Sequence, residues 1–150
     1  MQQFKHHIVD ACKSYLEEKI QSLNNIMQEV TNSANNETKS SAGDKHETAR
    51  AMMQLEQEKL SKQISDLAEQ KNEFDKIDFN KSLQQIGQGS LVETNKGTFL
   101  VAASIGKLEV NGQVVFVISN KSPLAIALVG KKQKEEILFN GIGYKIESIT

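Results

Sequence analysis

The sequence predicts an α+β chain: a long antiparallel helical hairpin of coiled-coil type, then a small β-sheet domain with one short helix. Three observations predict it. Before about position 79 the apolar residues recur at steps of three and four. From position 87 onward they alternate with a period of two between turn signals. Gly and Pro are segregated in the same way: only Gly43 precedes residue 79, whereas the other eight Gly and the one Pro, Pro123, begin at Gly87. The shift places a boundary near residues 78–86, dividing the chain into a hairpin, 1–79, and a sheet domain, 80–150.

In the first helix Leu16, Ile20, Leu23, Met27 and Val30 step by four, three, four and three residues. In the second, Leu60, Ile64, Leu67 and Phe74 keep the same rhythm, with Lys71 interrupting it. These are the seam positions of two helices packed along their length. Between them, "TNSANNETKSSAG" lacks apolar periodicity and is rich in Asn, Ser and Thr, which predicts the turn of the hairpin, its tip at about 32–47. Arms of roughly 30 residues at about 1.5 Å per residue give a rod on the order of 40 Å.

In the second half, "GSLVETNKGTFLVAAS", "KLEVNGQVVFVIS", "EEILFN" and "YKIESIT" have the pattern of strands. Asn95-Lys96-Gly97 and Asn111-Gly112 mark hairpin turns, the Asn-Gly pair being the stronger signal. "SPLAIALVGKK" differs: Ser122 at the cap, Pro123 at the first helical position and Gly130 past the end describe a short helix. A sheet with one such helix makes a small α+β domain near the lower limit of independent stability.

Composition narrows the function classes. Hydrophobic residues are 38% of the 150, aromatics 5%, and there is no Trp, which suits an elongated part with much exposed surface. The net charge of −1 implies no overall attraction to nucleic acid, so any such contact would be weak and confined to a local patch. One cysteine, Cys12, excludes an internal disulfide framework and argues against structural zinc; its place among apolar positions predicts a small buried hydrophobe. No stretch has the length of a membrane span or the pattern of a secretory leader, so a cytoplasmic protein is expected.

The chemistry-bearing candidates cluster at the hairpin tip, in "SSAGDKHETAR". Asp44 and Glu47 stand three residues apart just ahead of an apolar-periodic helix. One reading is a capping box with Asp in place of Ser or Thr, whose loss costs about 1 kcal/mol. The other is a pair of hard oxygen donors for Mg²⁺. The two differ in register. If Asp44 is the cap, its carboxylate turns back on the backbone. If Ser41 is the cap, Asp44 and Glu47 lie one turn apart on one face, free to share a metal. His46 between them is either an acid or base near neutral pH or an exposed residue at a helix start. Lys39, Lys45 and Arg50 surround the pair as contacts for phosphate or protein, or, for Arg50, as an ion partner of Glu47. His6 and His7 have no ligands at metal spacing and are expected to be solvated. "GKKQKEE", 130–136, is expected to be a charged surface turn.

A helical hairpin with tip carboxylates ahead of a small sheet domain resembles the bacterial Gre (GreA/GreB) transcript-cleavage factors. Gly43-Asp44 with Glu47 is similar to their tip pattern G-D-x-x-E, and "SPLAIALVGK", 122–131, is similar to a segment of their FKBP-like C-terminal domain. The resemblance implies an accessory factor that is not itself an enzyme. It would bind RNA polymerase, with the hairpin in the secondary channel and the sheet domain docked on its rim. Asp44 and Glu47 would help to hold a Mg²⁺ shared with the polymerase, beside the backtracked RNA 3′ end, so that the polymerase cleaves its own transcript. The sequence departs from the family where Thr48 replaces Asn and where Asn140-Gly141-Ile142-Gly143 replaces a Pro-Gly-Gly turn. A secondary-channel regulator without cleavage activity, and a coiled-coil adaptor for another protein, are the competing readings. Prolyl isomerisation ranks last, because fold alone does not license it and the domain is poor in aromatics.

Overall fold

The structure, a computed structural model, describes residues 1–38 and 43–150, with side chains described except those of 36–46. The fold is α+β. Helices α1 (Gln2–Thr38) and α2 (Gly43–Asp75) are followed by strands β1 (Leu91–Thr94), β2 (Gly97–Val101), β3 (Gly106–Val110) and β4 (Gln113–Ile118). Helix α3 (Pro123–Leu128) and strands β5 (Glu136–Phe139) and β6 (Ile142–Ile149) complete the chain. The residues divide into two compact units, Ser14–Asn72 and a discontinuous one made of Met1–Lys13 with Glu73–Thr150.

The Ser14–Asn72 unit is the helical hairpin. Leu16 and Leu60 are buried, and Ile20, Leu23, Met27, Val30, Ile64 and Leu67 are partly buried, so the three-and-four rhythm marks the packed face. Two contacts fix the direction. Glu17 pairs with Lys71 at 4.0 Å, and Gln57 Nε2 donates to Thr31 Oγ1 at 3.2 Å. Fourteen residues forward along α1, from Glu17 to Thr31, match fourteen backward along α2, from Lys71 to Gln57, so the helices are antiparallel and in step. Lys71 interrupts the apolar rhythm without breaking it, because its ammonium reaches the edge of the seam.

Both helices run further toward the tip than apolar periodicity alone carries them. Residues 31–38, part of the segment expected to be a turn, are helical. Thr31 and Ala34 continue the partly buried stripe, as do Met53 and Ala49 of α2. Packing along that stripe outweighs the weak helix propensity of Asn, Ser and Thr.

In the other unit a six-stranded sheet has the order β3-β4-β2-β1-β6-β5. β2 and β4 pair in parallel; the other neighbours are antiparallel. The β3–β4 turn is Asn111-Gly112, both at positive φ (52° and 77°), the geometry that opposes Val110 to Gln113 across a two-residue loop. The β5–β6 turn uses the same device at Asn140-Gly141 (49° and 77°), so β6 starts at Ile142, earlier than the sequence pattern suggested.

Helix α3 forms as its sequence requires. Ser122 is the extended N-cap, its Oγ accepting from Ala125 N–H at 3.3 Å and donating to the Ser119 carbonyl at 2.8 Å, and Pro123 opens the helix. Ala125 and Leu128 pack with Ile86, Val92, Val101, Ile137 and Ile146 to form a core cluster. Phe99 also lies against Phe116 (5.7 Å between centroids) and edge-on to Tyr144 (6.1 Å). Leu91, Leu100, Val115 and Val117 are buried too. Ile8, Val9 and Cys12 of α1 and Phe74 and Phe79 join this unit's buried set, so the sheet region draws apolar surface from both ends of the helical segment.

Candidate functional site

Helix α2 begins at Gly43, which makes Asp44 its second residue and Glu47 its fifth. A capping residue has non-helical backbone; Asp44 lies within the helix. Ser41 and Lys39 fall outside the described residues, so the alternative cap register does too, and the side chains of Asp44, Lys45 and His46 likewise fall outside them. Glu47 and Arg50 are described and exposed. Asp44 and Glu47 are three residues apart along the backbone of α2.

Two carboxylates are the hard oxygen donors that Mg²⁺ takes. Among the described residues no group of three or more His, Cys, Asp or Glu could hold a metal.

The remaining candidates lie in the sheet-bearing unit. His6 Nε2 is 2.8 Å from Asn80 Oδ1, and His7 Nδ1 is 2.8 Å from Asn111 Nδ2. Both residues are exposed, as expected, and each also has a hydrogen-bond partner across this unit. Gln2 Nε2 donates to the Phe79 carbonyl at 3.1 Å and Lys5 Nζ to the Thr150 carbonyl at 3.0 Å, so polar side chains bolt the first turns of α1 to this unit. Cys12 is fully buried, and burial pushes its thiol up to about 12. The 130–136 segment is largely exposed; within it Lys132 N–H is held by the Glu135 carboxylate at 2.6 Å.

Sequence reasoning passed over two features. Lys5 is buried, and its position one turn before Ile8 and Val9 on the apolar stripe was the available signal. A groove of about 500 Å³ lies between the segment after α2 and the β4–α3 turn, lined by Lys76, Ile77, Lys81, Gln88, Asn120 and Lys121 among others. A smaller one of about 340 Å³ includes His6, Asp10, Lys13 and Asp78.

Comparison with protein-family models, with curated proteins and with solved structures returns no match. No helix is long and apolar enough to cross a membrane, among the described residues.

Proposed function

We propose that this chain is a Gre-like transcription factor of the cytoplasm. It binds RNA polymerase, presents the closed end of its helical hairpin to the secondary channel, and stimulates Mg²⁺-dependent cleavage of backtracked RNA. The observation that carries the reading is the place of Asp44 and Glu47. Both sit in the first two turns of α2, beside the connection between two antiparallel helices held in step. A rod of this kind delivers carboxylates to a site its own fold cannot complete. The Ser122-capped α3 within a small sheet domain, in the segment similar to the Gre C-terminal domain, supports it further.

Bound Mg²⁺ supplies a water of lowered pKa and neutralises charge at the scissile phosphate. The part of this chain is to bring Asp44 and Glu47 as oxygen ligands, with Arg50 one turn on as an exposed cation able to meet phosphate. The polymerase provides the other ligands and the RNA, and the bond cleaved is a phosphodiester near the transcript's 3′ end. The chain is thus an accessory to another molecule's nuclease.

The test is transcript shortening by purified polymerase halted in a backtracked complex. Addition of this protein is expected to accelerate shortening. Asp44→Ala and Glu47→Ala are each expected to abolish the acceleration while the circular-dichroism helix signal is retained. Normal cleavage by both variants sinks the metal role. A second reading, a channel-binding regulator without cleavage, is favoured by Thr48 standing where the family has Asn; binding to polymerase with unchanged or slower cleavage is its signature. A pull-down that captures other proteins but no polymerase subunit would point to a coiled-coil adaptor.

A further inference from the structure

The groove of about 500 Å³ draws its walls from three places: the last turn of α2 (Glu73), the segment leading to β1 (Lys76, Ile77, Asp78, Lys81, Gln88), and the β4–α3 turn (Asn120, Lys121). Asn120 Nδ2 donates to Gln88 Oε1 at 3.3 Å, so an amide pair ties two of these walls together. Of its two carboxylates, Asp78 is already engaged. Its Oδ1 accepts the Asn80 N–H at 3.0 Å and its charge acts on the buried Lys5. Glu73 and Asp78 thus stand against the ammonium groups of Lys76, Lys81 and Lys121, a lining with a net charge of +1 in a chain whose net charge is −1. All three lysines are exposed.

We propose that this groove is a docking cleft for an acidic segment of a protein partner. Charge complementarity supplies the attraction: lysines on separate walls meet carboxylates on successive residues of an extended chain. The side-chain amides of Gln88 and Asn120 can each donate to or accept from peptide groups, and Ile77 offers an apolar contact. Single-stranded nucleic acid fits less well. Among the described residues no aromatic ring lines the groove to stack a base. None of these residues belongs to the hairpin unit, so the cleft's occupant is a separate question from the role of Asp44 and Glu47.

The test uses the full chain and a fluorescently labelled short polyglutamate peptide, read by anisotropy at low and at raised salt. Binding is expected, weakening as salt rises. The variant Lys76→Gln/Lys81→Gln/Lys121→Gln is expected to lose about tenfold in affinity. The variant Lys96→Gln/Lys107→Gln/Lys145→Gln, which removes the same charge from exposed positions in the β1–β2 turn, β3 and β6 outside the groove, is expected to bind as the parent does. Equal losses in the two triple variants would mean diffuse attraction and overturn the proposal, as would absence of peptide binding at low salt. Tighter binding of an oligouridylate of matching length, lost in the groove variant, would overturn it in favour of nucleic acid.

Discussion

Lys5 donates from Nζ to the carbonyl oxygen of Thr150 at 3.0 Å, from a residue only 1% exposed. A charged group at the start of the chain is thereby fixed to the end of the sheet's β6 side, and burial, opposed in part by Asp78, holds the ammonium below its ordinary value of 10.5. Lys5→Ala is expected to destabilise the protein by about 2 kcal/mol, through the lost stem packing and hydrogen bond. The pH dependence has a definite sign. Between the lowered native value and 10.5 the unfolded chain binds more protons, so this residue makes stability rise with pH across that window. Urea midpoints of parent and Lys5→Met compared from neutral pH upward should show the parent gaining stability relative to the variant across that window.

Cys12 acts in the opposite direction. Its buried thiol keeps its proton up to about 12 against an ordinary 9.0, so its contribution is complete below pH 9 and is lost progressively between 9 and about 12. The slope is at most about 1.4 kcal/mol per pH unit. Cys12→Ala should lose roughly 1–2 kcal/mol at neutral pH from the cavity but lack the alkaline decline. Thiol reagents should modify the parent only as fast as it opens.

Asn111 combines two jobs that substitution can separate. It adopts φ 52° in the β3–β4 turn and its Nδ2 lies 2.8 Å from His7 Nδ1. Asn111→Gly keeps the turn and removes the amide, for an expected loss of about 0.5–1 kcal/mol. Asn111→Ala removes the amide and adds left-handed strain, for about 1 kcal/mol more. Thermal denaturation of the two variants measures the difference.

Glu47 is exposed in α2, so Glu47→Ala should leave the denaturation midpoint within about 0.5 kcal/mol of the parent. A large loss of stability would instead assign this carboxylate to holding the helix start.

Much of the fold was legible because one rhythm dominated each half. Leu16 to Val30 and Leu60 to Phe74 repeat at seam spacing, and Ser122-Pro123 with Gly130 spells out a short helix. What escaped had physical reasons. Residues 31–38 are polar enough to suggest a turn, but helix formation there follows Thr31 and Ala34 on the packed stripe, a tertiary effect. The parallel pairing of β2 with β4 joins strands separated by β3, and periodicity carries no information on such partners. Lys5, His6 and His7 have partners, Thr150, Asn80 and Asn111, that are distant in sequence. At the candidate site the three-residue spacing of Asp44 and Glu47 was legible, whereas Ser41 and the side chain of Asp44 lie outside the described residues. The groove was invisible, since Lys76, Lys81 and Lys121 converge only once the β4–α3 turn is brought beside the segment after α2.

The shared fourteen-residue step between Glu17–Thr31 and Lys71–Gln57 spans two heptads, and this makes the hairpin's length separable from its packing. Removing seven residues from each arm would bring the next repeat into the same facing positions while drawing the tip back by about 10 Å. Removing seven from one arm alone would misalign the seam throughout. The hairpin is thus a ruler graduated in heptads, and reach can be shortened or extended in paired increments without redesigning what lies at either end.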